Sequence, residues 1–329
     1  MDAVRRIADA VLYEGYVLWP YRKSAMKNQR RWTFGGVHPE AHSAAHPDDA
    51  ALMRAQCLLE GGPDVRFEAS VRFLHVVARQ VLRQGPGGLQ PAEELEAAGE
   101  RHVSWDEAVE RELSTGELRL GELGRAPRRV EIEVPAGGER EELEGGVVER
   151  SWRELRGTVD VEAVELRDGL YRVTVQARNT SRFEGGPREE ALRQTFCSTH
   201  AVLHASGGGF VSLTDPPAAL REAAEGCENL GNWPVLVGEE GDRSTVLCSP
   251  IILSDYPQVA PESPGDLFDG GEIDQLLILN ILSLTEEEKR EMAASDPRAR
   301  EILERTEGLS EEELMRLHGA IRKFGLARR

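Results

Sequence analysis

The chain has 329 residues, with 58 acidic against 40 basic side chains and a formal net charge of −18 at neutral pH. That length accommodates one large domain or two smaller ones with a substantial core. The acidic balance opposes general binding to nucleic acid or anionic lipid, no apolar run reaches the ~18 residues of a membrane span, and the first residues lack the apolar stretch of a signal peptide, so a cytoplasmic protein is expected.

Asp2 can cap a first helix in which Val4, Ile7, Ala8, Val11 and Leu12 share one face, and Gly15 ends it. Residues 13–39 then concentrate five basic residues and six aromatics in an otherwise acidic chain. Pro20, Gly35, Gly36 and Pro39 oppose a long helix there. Trp19, Tyr21 and Trp32 are residue types that anchor interfaces, and Arg22, Lys27, Arg30 and Arg31 offer charge-assisted bonds to an acidic partner, so the segment reads as a protein-docking surface, with internal packing as the rival reading. His38, His42 and His46 fall at i, i+4 and i+8, but Pro39, Pro47 and small neighbours favour a mobile polar loop over a metal-binding stripe.

From Val65 the pattern alternates: Val65, Phe67, Ala69, Val71 and Phe73 point one way and Arg66, Glu68, Ser70 and Arg72 the other, which predicts a half-buried strand with His75 as a hydrogen-bonded core residue. Residues 85–99, rich in Gly, Pro, Glu and Ala, read as an exposed loop. Residues 159–166 and 170–178 flank Asp168-Gly169 and predict a hairpin, with Tyr171, Val173, Val175 and Ala177 facing the core. Short strands are expected at 130–134, 194–205, 210–213, 235–237 and 245–248. With no regular alternation of strand and helix, the fold class is α+β, mainly antiparallel β in a sandwich or barrel, with an N-terminal helix and a C-terminal helical region. The expected organisation is 1–48 packing on the core, 49–250 as the β domain, and 251–329 as a proline-rich loop followed by helices near 271–283, 286–294, 297–307 and 311–323. Capping-box spacings at Asp269/Glu272, Thr285/Glu288 and Ser310/Glu313 mark helix starts.

Chemistry-bearing patterns are sparse. Cys57, Cys197, Cys227 and Cys248 form no CxxC pair, which argues against a disulfide framework or a cysteine zinc knuckle. Cys197, His200 and His204 have residue types that suit a transition metal, but on a regular strand Cys197 points away from the two histidines, and convergence would need a bulge. Acidic residues at 262–274 are accounted for by helix capping, and Gly207-Gly208-Gly209 has no following helix to cradle a phosphate. Neither a GxSxG elbow nor an HExxH helix is present.

Residues 13–39, the stretch CENLGNWPVLVG at 227–238 and the stretch at 249–277 resemble a bacterial family encoded beside actinobacterial-type uptake nickel-iron hydrogenases. The resemblance spans most of the chain and carries no assigned catalytic or ligand residues. It implies a non-catalytic accessory protein in assembly, maturation or complex formation, with a hydrogenase subunit or maturation factor as partner and no resident cofactor. The alternative is a metal-handling protein or metalloenzyme using Cys197, His200 and His204.

Overall fold

The computed structural model describes residues 2–13, 34–257 and 284–295, together with 300, 303–304 and 306–308. Helix α1 (Asp2–Tyr13) and helix α2 (Glu40–Ala45) precede a long run of strands. Among the described residues these are β1 (Leu52–Glu60), β2 (Arg66–Gly85), β3 (Gly88–Ala92), β4 (Glu94–Ala97), β5 (Glu100–Val103), β6 (Trp105–Ser114), β7 (Leu118–Arg119), β8 (Arg128–Val134), β9 (Gly137–Leu143), β10 (Gly146–Trp152), β11 (Leu155–Arg167), β12 (Leu170–Asn179), β13 (Cys197–Ser206), β14 (Gly209–Phe210), β15 (Trp233–Leu236) and β16 (Thr245–Ser249). Helix α3 (Leu120–Leu123) follows β7, helix α4 (Arg188–Leu192) precedes β13, and helix α5 (Arg221–Glu225) lies between β14 and β15.

The strands form two antiparallel sheets packed face to face, so the mainly antiparallel β class is observed. One sheet has the order β14-β1-β12-β11-β8; the other runs β15-β16-β13-β2-β10-β9. β2 is long enough to pair twice on each flank or more: β13 and β10 lie along one, and β7, β6 and β3 along the other. Alternation decides what lies between the sheets. Ala55, Cys57, Val173 and Val175 of the first meet Phe67, Val71, Phe73 and Leu203 of the second in a single buried core, the arrangement expected when each strand turns every second side chain inward. Tyr171, Val173, Val175 and Ala177 all face that core, and the β11–β12 hairpin turns at Gly169, whose φ of +72° suits a residue without Cβ.

The larger sheet is covered on its outer face as well. Ile7, Ala8 and Val11 of α1 pack on Val235, Val237 and Leu247, while Leu12 joins Leu74, Val76, Leu192 and Cys197. This second apolar layer explains why β16 and the first half of β13 are buried on both faces. It also corrects the expected solvent exposure of Arg72, which is buried beneath α1 with its guanidinium 2.6 Å from Asp9 and 3.2 Å from Glu110.

Residues 85–99 are not a loop. β2 continues to Gly85, turns through Pro86-Gly87 and returns as β3, after which β4 and β5 form a small hairpin. Leu82 pairs with Pro91, which β3 tolerates because its pairing is with β2 alone. Near the other end, a helix covers Glu286–Ser295, and its first turn is closed reciprocally by Thr285 N–H to Glu288 Oε2 at 2.7 Å and Glu288 N–H to Thr285 Oγ1 at 3.3 Å. The helices expected at 271–283 and 311–323 lie outside the described residues. So do 296–299, the start of the one expected at 297–307, in which residues 303–304 and 306–307 are helical.

Candidate metal centre

The docking residues expected in the basic aromatic segment, Trp19, Tyr21, Arg22, Lys27, Arg30, Arg31 and Trp32, lie outside the described residues. The chain re-enters the described structure at Phe34 and is stapled to the sandwich at once. Val37 and Phe196 exchange backbone hydrogen bonds of 2.9 and 3.0 Å, His38 N–H donates to Ala50 O at 2.8 Å, and the buried Asn179 amide donates to Val37 O and Gln194 O.

This fixes the start of α2. Pro39 occupies the N-cap position with φ −55°, where a missing N–H costs nothing, and Pro47 falls after the helix has ended. The two prolines therefore bracket the histidines without breaking the turn that aligns them, and the expected mobile polar loop is replaced by an ordered one. The rings of His38, His42 and His46 stack, with centroids 5.1 and 4.2 Å apart and planes within 24° and 12°. His38 and His42 are 3% and 1% exposed, and His46 is exposed.

Asp49 turns back toward the first two rings. His42 Nε2 lies 2.9 Å from Asp49 Oδ2 and His38 Nε2 lies 3.5 Å from Asp49 Oδ1. One ligand atom from each of His38, His42 and Asp49 falls within 4.8 Å of the others, which among the described residues is the one such group of three histidine, cysteine or carboxylate donors. A tetrahedral ion with bonds of about 2.0–2.1 Å holds its donors roughly 3.3 Å apart, so small side-chain adjustments close the site.

The hydrogen bonds around the group assign its tautomers. Thr195 Oγ1 donates its proton to Ala191 O at 2.8 Å, so the 3.1 Å contact with His38 Nδ1 requires that ring to donate from Nδ1. His38 Nε2 then carries a lone pair aimed at a carboxylate oxygen. Burial, first among the causes, pushes the His38 pKa down to about 4 despite the nearby Asp49, so no proton sits between them at neutral pH. Two acceptors facing each other in a buried place are a pairing that a cation between them could satisfy. Burial would raise the Asp49 carboxyl, but hydrogen bonds from Arg188 and His42 outweigh it and hold the group well below the usual carboxylate range. Arg188 reaches both oxygens, at 3.1 and 3.3 Å, and orients the carboxylate from α4. His42 Nδ1 is buried with no hydrogen-bond partner. Gly36 leaves the approach open, because a Cβ there would stand 2.9 Å from His38 Nε2.

The other expected donors are placed differently. β13 does begin with an irregularity: its register to β2 shifts between Cys197 and His200, where Ser198 has φ +53°. Yet Cys197 packs among Leu12, Leu74 and Leu192, His200 is buried with Nδ1 3.1 Å from Ser198 O, and His204 is exposed with Nδ1 3.1 Å from Thr245 Oγ1. The shift does not gather the three into one donor group. The signal available for this donor group was the spacing His-x3-His-x6-Asp, read past the prolines.

No protein-family model matches the chain, and no curated protein matches it. No helix among the described residues is long and apolar enough to cross a membrane.

Proposed function

We propose that this chain is a metal-binding β-sandwich protein in which His38, His42 and Asp49 hold one divalent transition ion. The observation that carries the reading is the convergence of two imidazoles and a carboxylate in a buried place, with the His38 lone pair directed at Asp49. Two imidazoles and one carboxylate, with positions left for water or another ligand, suit zinc, nickel, cobalt or ferrous iron. Three donors with open positions favour exchange of the ion or of its further ligands over a closed structural site. The family resemblance supports an accessory role beside a nickel-iron hydrogenase, which makes nickel the first ion to test. Trp19, Tyr21, Arg22, Lys27, Arg30, Arg31 and Trp32 are the residues proposed to dock the hydrogenase subunit or maturation factor.

Isothermal titration of metal-stripped protein with nickel and with zinc tests the centre. Stoichiometric binding that is lost in His38→Ala and in Asp49→Ala is expected, with the folded spectrum retained. Binding that survives both substitutions, or its absence in the wild-type protein, rejects the reading. For the docking surface, co-purification with hydrogenase polypeptides is expected to be lost on combining Trp19→Ala with Arg30→Glu; unchanged co-purification discards that surface.

A further inference from the structure

His46 is not part of the converging donor group, yet its placement is specific. It is the solvent-exposed end of a column of three stacked imidazoles whose other two members are buried ligands of the proposed centre. Its Nδ1 lies 3.1 Å from the carbonyl oxygen of His42, and a carbonyl only accepts, so the His46 ring donates from Nδ1 and keeps its lone pair on Nε2. The His38 ring is fixed in the same tautomer by Thr195. The first and last rings of the column are thus both set to offer Nε2 to a metal. The ring centroids of His46 and His42 lie only 4.2 Å apart.

Resting on the metal-binding reading above, we infer that His46 is the entry ligand of the centre. It captures a hydrated divalent cation at the surface by exchanging one water for its Nε2 and hands it to His42, His38 and Asp49 as the remaining waters leave. A buried site alone would strip an ion of several waters before any protein donor replaced them. An exposed imidazole, already oriented by its bond to the His42 carbonyl, supplies the first replacement at the surface. Because His46 acts on the route in both directions, its removal slows arrival and departure together and leaves affinity nearly unchanged.

Stopped-flow measurement of cobalt(II) binding, followed by the ligand-field absorption of the bound ion, tests this with His46→Ala. An exposed residue after the end of α2 can be replaced without loss of the fold, which a thermal melt verifies. The expected result is a fall of roughly tenfold in both the association and the dissociation rate, a dissociation constant within about threefold of wild type, and recovery of the rates in His46→Asp, which restores a surface donor. Unchanged rates overturn the inference while leaving the buried centre standing. Faster dissociation with weakened affinity also overturns it, since that behaviour belongs to a permanent ligand. A wild-type protein that binds no cobalt removes the centre itself, and the entry role with it.

Discussion

Gly36 shows how little tolerance the proposed metal centre has at the scale of one residue. Its backbone needs no left-handed conformation, so an alanine there is sterically costly only through its Cβ, 2.9 Å from His38 Nε2 and 3.5 Å from Thr195 Cγ2. His38 cannot swing away without giving up its bond to Thr195. Gly36→Ala is therefore expected to weaken zinc binding at least tenfold in a calorimetric titration while shifting the thermal melt little; unaltered affinity would show that His38 Nε2 does not face the ion. Arg72 makes a different residue-scale point. Its position in β2 reads as outward and polar, and it is outward, but α1 covers that face and the charge is retained because Asp9, Glu110 and Glu112 surround it.

At the scale of elements, close approach between sheets is set by glycines within strands. A Cβ on Gly157 of β11 would lie 2.3 Å from Arg178 O and 2.8 Å from the Phe196 ring, itself stacked on Phe73 at 4.6 Å. Gly157→Ala is expected to cost about 1–3 kcal/mol through overpacking, read as a lower denaturant midpoint; a stability equal to wild type would mean that β11 shifts freely, contrary to its pairing with both β8 and β12. The strands legible in the sequence were those with a buried alternating face, such as β12 and the first half of β2. Among those that escaped it, β6 reads WDEAVERELS and β9 reads GGEREEL, held by backbone ladders with little apolar signal, whereas β1 escaped although Met53, Ala55, Cys57 and Leu59 alternate into the core. The proposed metal centre was half legible, since the histidine spacing was visible. What closes it was not: Asp49 returns through a turn, and Thr195 and Arg188 arrive from a segment more than a hundred residues away along the chain, so only the fold reveals the tautomer of His38 and the orientation of the carboxylate.

For the whole molecule, three buried histidines couple stability to acidity. Burial is the leading cause that pushes the pKa values of His38, His75 and His200 down to about 4. An unfolded histidine takes up its proton near pH 6.5, so between about 6.5 and 4 the unfolded chain binds more protons than the folded one, and stability falls as pH is lowered. Each histidine contributes of order 1–3 kcal/mol to that loss. Melting temperatures recorded from pH 7 to pH 4 are expected to decline steadily, and less steeply in His75→Gln; a flat profile would contradict neutral buried rings. The topology of β2 bears on how the chain is made. One flank is filled by β3, β6 and β7, complete by Arg119, whereas the other waits for β10 and then for β13, which ends at Ser206. During synthesis the strand therefore presents a row of unpaired amides and carbonyls along residues 66–74 until β13 has been made. Nascent or truncated chains ending before Cys197 thus carry an adhesive border that the finished protein has buried.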